Sequence, residues 1–425
     1  MNSDTPGRTT SAHEAVRACA VQAQQGATAL ARASDTAIDA AILGIAERVT
    51  TAQRMLVTAN QEDLAAAASA GMSPALLDRL RLTGPRLDTM AAELRVLANV
   101  VHEPRDTVLE ERPDGLTLWE RRRPVGVIGA NFEARPNVTL DIASQLLKSR
   151  NAGVLRTGSA ALRSSQALLA HVVGPALSDA GLDPDVLQLV PHKDRSAAYA
   201  LVSMPELVPL VILRGSGDST RDLGREAARH GVRTLAHADG GAVLYVGAGA
   251  DEKAAHQLIT DSLDRLGVCN RLNLLLIDES VYDERLPGIL EVLQRLGIAA
   301  SLPPHAHPRG YEWSLDPQRA ATVTVDKANG PLHAAQIAND ETSGLAAGIA
   351  TQDPAAATEF LDAYTGAGAF WNATTRLLDG FKLLRLPETG INIDRVPGPR
   401  GPVTFRDLYL RQYLVAPSSG PISRA

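Results

Sequence analysis

Cysteine is nearly absent from this chain, with Cys19 and Cys269 the only two in 425 residues. They can form one disulfide at most, which excludes a stapled secreted scaffold and makes a reducing cytoplasm the expected setting. No uninterrupted apolar run is long enough to span a bilayer, so no membrane partner is expected. The opening Met1-Asn2-Ser3-Asp4-Thr5 lacks the basic-then-apolar pattern of an export signal. Positive charge is not in excess. A formal charge of -6 and a pI of about 6.0 argue against a general nucleic-acid binder. Lysine is scarce beside arginine, and no lysine lies in a Walker-type phosphate loop. No Gly-x-Ser-x-Gly elbow is present, which weakens a serine-hydrolase reading. No Gly-x-Gly-x-x-Gly fingerprint follows a strand. His305 and His307 lie close together, but their spacing fits no zinc pattern and no cysteine or acid accompanies them. They read as loop residues, and no metal is expected.

What is present is an ordinary globular composition, 45% hydrophobic and 21% charged. At 44.9 kDa the chain is too large for one core and should divide into domains. Residues 1–10 read as a disordered lead. From 11 to 110 the sequence is alanine-rich, and Leu76-Leu77, Leu80, Leu82, Leu87 and Met90 return at helical spacing. Between Leu109 and Arg123, Asp114-Gly115 is a hairpin turn signal.

Pro124 opens an α/β pattern. Val125–Ala130, Ala152–Arg156, Val186–Val190 and Leu210–Leu213 read as strands, each followed by a helix-like segment. Such alternation implies a parallel sheet covered on both faces, with ligands beyond the carboxyl ends of its strands. A second unit begins near Gly240. It carries Val243–Val246, a helix over 250–263, the Cys269 segment with Leu274–Ile277, Ala321–Val325, the Gly-rich stretch 342–350 and the short strand 367–372. The tail from Gly401 to Val415 mixes apolar residues with arginine. It suits either a subunit interface or a return to its own domain.

Three local features bear on chemistry. Cys269 sits between glycine and an apolar strand, as a small core hydrophobe or as a nucleophile would. Leu213-Arg214-Gly215-Ser216-Gly217 joins a strand to a helix, where backbone N–H groups favour an anion and Ser216 adds a donor. Arg135 lies in a strand-to-helix loop beside the stiff Pro136. Its fork of donors suits planar or phosphorylated oxygen groups, or an ordinary ion pair.

Several segments, taken in order, carry a resemblance. Pro124-Val125-Gly126-Val127-Ile128-Gly129, Glu133-Ala134-Arg135-Pro136-Asn137-Val138 and Leu147-Lys148-Ser149-Arg150-Asn151-Ala152 resemble the gamma-glutamyl phosphate reductase family. Gly267-Val268-Cys269-Asn270, Phe370 to Gly380, Glu388-Thr389-Gly390-Ile391 and Arg400-Gly401-Pro402 complete the series. The resemblance implies an aldehyde dehydrogenase-like α/β fold with a small oligomerisation element. Residues 11–239 would form the NADP-binding domain, with a hairpin near 110–123 projecting for oligomerisation. Residues 240–392 would form the catalytic domain. Residues 393–425 would return to the cofactor domain or to a subunit interface.

It further implies cysteine-based reduction of an acyl phosphate with NADPH, NAD not being excluded. Cys269 would be the nucleophile. Arg135 would stand where aldehyde dehydrogenases carry an oxyanion asparagine, the backbones of Cys269 and Asn270 would add donors, and Asn372 and Arg376 would support the pocket. Arg156, Gly158 and Ser159 match the adenosine-ribose segment, Gly215 and Ser216 the pyrophosphate segment, and Glu388 the glutamate on the nicotinamide ribose. Asn137, Arg265 and Arg376 are the expected substrate contacts. A partner carboxylate kinase and a homo-oligomer are expected by the same analogy.

Departures from the family are concentrated. A Glu-Gly-Ile-Cys-His segment is replaced by Asp239-Gly240-Gly241-Ala242-Val243, and a Ser-x-His-Thr-Glu segment by Ser343-Gly344-Leu345-Ala346-Ala347. A lysine before the nucleophile becomes Ser262, and an acidic residue becomes Ala160. The first two changes are expected to line or support the substrate region. They raise the reading of a different activated amino acid or carboxylate in a specialised pathway. A CoA-acylating aldehyde dehydrogenase and a non-catalytic scaffold are the competing classes.

Overall fold

The computed structural model describes residues 6–237, 239–316, 318–396 and 398–417. The chain folds as two compact units. The first runs to Leu235 and takes back Leu386–Gly390 and the chain from Val403 onward; the second comprises Ala236–Arg385 and Ile391–Pro402. The chain thus leaves the first unit at Leu235/Ala236, ahead of the expected 239/240 division.

The first unit opens with helices. Pro6–Leu30 is one helix, so residues 6–10, expected as part of a disordered lead, are helical; residues 1–5 lie outside the described residues. Asp35–Thr51 and Gly84–Ala98 follow, capped by Ser34 and Thr83, whose side chains accept from the N–H groups of Ala37 and Arg86. Each cap satisfies a donor that the first helical turn leaves open. Ile38, Ile42 and Ile45 of one and Leu87 and Leu94 of the other are fully or nearly fully buried.

A hairpin then forms from β1 (Asp106–Glu111) and β2 (Leu116–Pro124). Its turn is the one the sequence marks: Gly115 takes φ +80, and Asp114 Oδ1 accepts the Leu116 N–H at 3.1 Å. The hairpin begins earlier than Leu109, because Asp106 pairs Arg121 through both backbone register and a charged contact at 2.5 Å. The tail strand Tyr409–Pro417 pairs β2 antiparallel, which returns the C-terminal segment to this unit. Residues 418–425 lie outside the described residues.

The body of the unit is a sheet of β3 (Val127–Phe132), β4 (Ala152–Thr157), β5 (Leu187–Leu189), β6 (Leu210–Arg214) and β7 (Arg233–His237), in the order β5-β4-β3-β6-β7, with β5, β4, β3 and β6 parallel. Every residue of β3 and β4 is buried, as continuous apolar strands between helical layers require.

The second unit is built on β8 (Ala242–Val246), β9 (Leu272–Asp278), β10 (Ala299–Ser301), β11 (Thr322–Ala328), β12 (Ala346–Ala350) and β13 (Gly368–Trp371). Their order is β10-β11-β9-β8-β12-β13, and every pairing is parallel. Leu244, Leu275, Ile277 and Val323 pack on one face with Ile259 and Ile289 of the covering helices. Val243, Tyr245, Leu274 and Leu276 pack on the other with Ile337 and Phe360. The period of two along each strand sends alternate residues to the two layers.

Candidate active site

Cys269 lies in the loop between the helix Glu252–Ser262 and β9. It therefore stands at the amino end of a central strand, so the rule that ligands lie beyond the carboxyl ends does not apply to this unit. A helix-to-strand loop carries no helix N-terminus to hold it, and tertiary contacts do so instead. The Gly241 N–H donates to the Cys269 carbonyl at 2.6 Å, and the Ala242 N–H to that of Arg271 at 3.0 Å. Gly241 has φ +94, which allows the turn. Gly240 is pressed so closely that a Cβ there would stand 2.8 Å from the Cα and carbonyl oxygen of Cys269.

Glu312 braces the same turn. Its carboxylate accepts the Gly240 N–H at 3.0 Å and the Ser314 hydroxyl at 2.7 Å, and burial pushes its pKa above the usual range. Arg271 is fully buried, its guanidinium donating to the carbonyls of Leu272, Ala320 and Thr322. It pins the start of β9 to the segment entering β11. Burial lowers its pKa to about 10, leaving it charged at neutral pH.

Asn270 is the second anchor. Its amide donates to the carbonyl of Leu378 at 2.9 Å and of Arg376 at 3.3 Å, and its backbone carbonyl accepts from Thr375 Oγ1 at 3.1 Å. Its side-chain oxygen accepts from Arg376 Nη1, while Arg376 Nε donates to Asp264 at 2.6 Å. Both side chains are thus spent on the loop itself. Asn372, expected beside the nucleophile, is exposed and latched to Thr351. Its Oδ1 accepts the Thr351 N–H at 3.0 Å and its amide donates to the Thr351 carbonyl at 2.8 Å. Such two-way pairing makes it a brace between the ends of β12 and β13. Arg265 is exposed on the loop before the cysteine.

The family departures have a packing explanation. Ala242 faces Ala346 and Val243 faces Ala347 across the β8–β12 ladder. These four and Leu345 are at most 1% exposed, so they line no open pocket. Ala242, Leu345 and Ala346 share a cluster with Phe370, Leu378 and the apolar side of Cys269. Ser262 is buried with its hydroxyl 2.8 Å from that of Thr374.

The first unit gathers the other expected residues at the carboxyl edge of its sheet. Phe132 is level with Thr157 on one side and Arg214 on the other, so the loops after β3, β4 and β6 emerge together. The Gly158 N–H donates to the Phe132 carbonyl at 3.0 Å. Arg135 is half-buried in the first of these loops, beside Ala134 with φ 44. Asn137 starts the helix Asn137–Lys148 and donates to Asp141 at 3.1 Å. Asp141 also meets the charges of Arg214, Glu93 and Glu388, and burial pushes its pKa up to about 7. Glu388 therefore belongs to a carboxylate-rich group around Arg214, whose side chain packs on Gly390 at 3.3 Å from the place of a Cβ.

One helix start lies at this edge. The helix Gly217–His230 begins at Ser216, with no side-chain cap, and its open N–H groups attract an anion. The Glu133 carboxylate stands there, accepting the Ser216 N–H at 3.3 Å, and a Cβ on Gly215 would press on it at 3.1 Å. Ser159 is exposed at the end of β4. Arg156 is buried, and its guanidinium is committed to Asn131 and to the carbonyls of Lys193 and Asp194.

Sequence reasoning missed Glu312 and Arg271, and met Gly240 only as part of a departure from the family pattern. The charged pair Glu312 and Arg271 next to aromatic or strand residues was the available signal, but neither lies in a periodic pattern. Among the described residues, no group of three or more His, Cys, Asp or Glu side chains is placed to hold a metal ion.

Comparison with known proteins gives the family. The aldehyde dehydrogenase family model matches residues 9–307. A gamma-glutamyl phosphate reductase of Opitutus terrae is 36% identical over 419 residues, covering 93% of this chain and 96% of that protein. The crystal structure of a gamma-glutamyl phosphate reductase from Thermotoga maritima superposes with a TM-score of 0.87 at 26% identity, over 95% of this chain and 99% of its own. An engineered glycolyl-CoA reductase with bound NADP+ shares the fold at 14% identity and a TM-score of 0.69, over 94% and 96% of the two chains. The chain belongs to the aldehyde dehydrogenase family, on its gamma-glutamyl phosphate reductase branch.

Proposed function

We propose that this protein reduces an acyl phosphate to an aldehyde with a nicotinamide cofactor, preferentially NADPH, and that its substrate is L-glutamyl 5-phosphate. The observation that carries the reading is the 36% identity across 93% of the chain to a protein of that name. A partly exposed cysteine on a loop held from three sides supports it.

In this reading the Cys269 thiolate attacks the acyl carbon. The C–S bond forms, the C–O bond to phosphate breaks, and inorganic phosphate leaves with the electron pair. A bound nicotinamide supplies hydride to the thioester carbon. The resulting alkoxide re-forms a carbonyl, the C–S bond breaks, and the aldehyde leaves the regenerated thiolate. We assign Arg135 to the oxyanion or the leaving phosphate, with the backbone N–H groups of Cys269 and Asn270 as further donors. Asn137 and Arg265 are assigned to the substrate. Gly158, Ser159, Gly215 and Ser216 are assigned to the cofactor, and Glu388 to its nicotinamide ribose. Asn372, Arg376 and Arg156 are assigned supporting roles, because their polar groups are already engaged.

The products are then glutamate 5-semialdehyde and phosphate, a step of proline biosynthesis, and the labile substrate calls for a partner carboxylate kinase. Self-association through the β1–β2 hairpin and the tail strand is supported by exposed Val108, Leu109, Leu410, Tyr413 and Val415. A different acyl phosphate is the second reading, raised by the loss of the family's polar residues at 241–243 and 345–347, where buried apolar side chains could act on the site only through its packing.

The test is the reverse reaction. Semialdehydes of differing chain length and charge are offered with phosphate or CoA and with NADP+ or NAD+, and reduced cofactor is followed. Phosphate-dependent turnover of glutamate 5-semialdehyde is expected. Preference for another aldehyde would establish the second reading, and CoA-dependent turnover or none would overturn the acyl-phosphate proposal.

A further inference from the structure

We infer that Lys193 selects the 2′-phosphorylated dinucleotide and that Arg156 is the positioning residue that sets Lys193 in place. The inference rests on the reductase reading above and concerns the first unit alone. In a strand–helix–strand nucleotide unit, a carboxylate near the end of the second strand reads the free ribose 2′-hydroxyl, whereas a cation accommodates a 2′-phosphate. Here that unit is β3, the helix Asn137–Lys148 and β4. No acidic residue occurs from Ala152 to Arg163, so the end of β4 lacks the hydroxyl-reading carboxylate.

The cation in β4 itself is not available. Arg156 is 6% exposed; its Nη1 donates to Asn131 Oδ1 at 3.1 Å, and its Nη2 to the carbonyls of Lys193 and Asp194 at 3.4 and 3.1 Å. What Arg156 does is fix the loop that follows β5. Since β5 is the neighbour of β4, that loop rises at the same carboxyl edge.

The loop carries two further cations. Arg195 is engaged, 3.4 Å from Asp222 and stacked over the Tyr199 ring at 5.7 Å. Lys193 is exposed, and among the described residues its ammonium makes no ion pair. The acids nearby are directed elsewhere. Asp194 stands 3.7 Å from His192 Nδ1, and Glu133 accepts the Ser216 N–H. One uncommitted ammonium, held by its own carbonyl at a strand end without acid and on the same edge as the exposed Ser159, matches a phosphomonoester.

The test is direct binding without substrate, by nicotinamide fluorescence titration with NADPH and NADH. The parent should bind NADPH more tightly. Lys193→Ala should weaken NADPH about tenfold, the worth of one charge-assisted contact, and leave NADH within about twofold. Lys193→Glu should weaken NADPH further. Arg156→Gln should lower the NADPH-to-NADH preference; lowered thermal stability with an unchanged preference would overturn its positioning role. Equal effects on both nucleotides, or none, from the Lys193 changes would overturn the selection assigned to Lys193 while leaving the reductase reading intact. A parent protein that binds neither nucleotide would overturn both.

Discussion

Replacing Arg376 by alanine removes one of the side chains that tie the nucleophile loop to the segment after β13, alongside the Asn270 amide and the Thr375 hydroxyl. Arg376 donates to Asn270 Oδ1 and to Asp264, and is 8% exposed. Asp264 is 51% exposed, so losing that ion pair costs about 0–1 kcal/mol. Asn270 is 4% exposed and its oxygen would be left without its donor, which costs about 1–3 kcal/mol. Together these predict a loss of about 1–4 kcal/mol, read as a drop of about 2–16 °C in the melting transition. The amide of Asn270 keeps its two carbonyl partners, so the loop loosens without being released. A nucleophile displaced by a fraction of an ångström to 1 Å loses up to about a hundredfold in turnover. We therefore expect kcat to fall and KM to hold, because the guanidinium is spent on the protein. A double-mutant cycle with Asn270→Ala should give a coupling of about 1 kcal/mol or more. Unchanged stability with a raised KM would refute the reasoning and return Arg376 to substrate binding.

Gly240→Ala should abolish most turnover, because its Cβ would stand 2.6 Å from Glu312 Oε1 and 2.8 Å from the Cys269 backbone; parent-like rates of turnover and of cysteine alkylation would contradict the packing. Asp141→Asn should stabilise the protein increasingly as pH rises. With a folded pKa raised from 3.8 to about 7, parent stability is highest with Asp141 protonated and declines between those values, then levels off. The part of that decline lying above pH 5 gives an expected gain of about 1–2 kcal/mol at pH 8 relative to pH 5. Melting curves of both proteins at those pH values check it, and a pH-independent difference would contradict it.

The parts of this structure legible in the sequence are those set by local rules. Asp114-Gly115 marks its turn because few residues accept φ +80. Most strands of the two sheets stand out as short apolar runs, though β7, β10 and the glycine-broken β12 do not, and the alternation of strands with helices puts Arg135, Arg156, Ser159 and Ser216 on one carboxyl edge. Contacts between distant segments were not legible. Glu312 reaches Gly240 from 72 residues away, and no spacing announces it. Cys269 stands at the amino end of β9 because a glycine turn, Arg271 and Arg376 hold it, which a strand–loop–helix rule cannot supply. The commitment of Asn372 to Thr351 and of Arg156 to two carbonyls is likewise invisible until the loops are folded.

The central claim is that chemistry passes through the Cys269 sulfur. Glutamyl 5-phosphate, generated in place by a carboxylate kinase and ATP, is added without nicotinamide cofactor, and the digested protein is weighed by mass spectrometry. Cys19 is 8% exposed, and burial pushes its thiol pKa up, so it should remain unmodified. The account predicts an acyl adduct on the peptide carrying Cys269, discharged when NADPH is supplied and absent from Cys269→Ala. An adduct elsewhere, or a Cys269→Ala protein that reduces substrate at the parent rate, would contradict it.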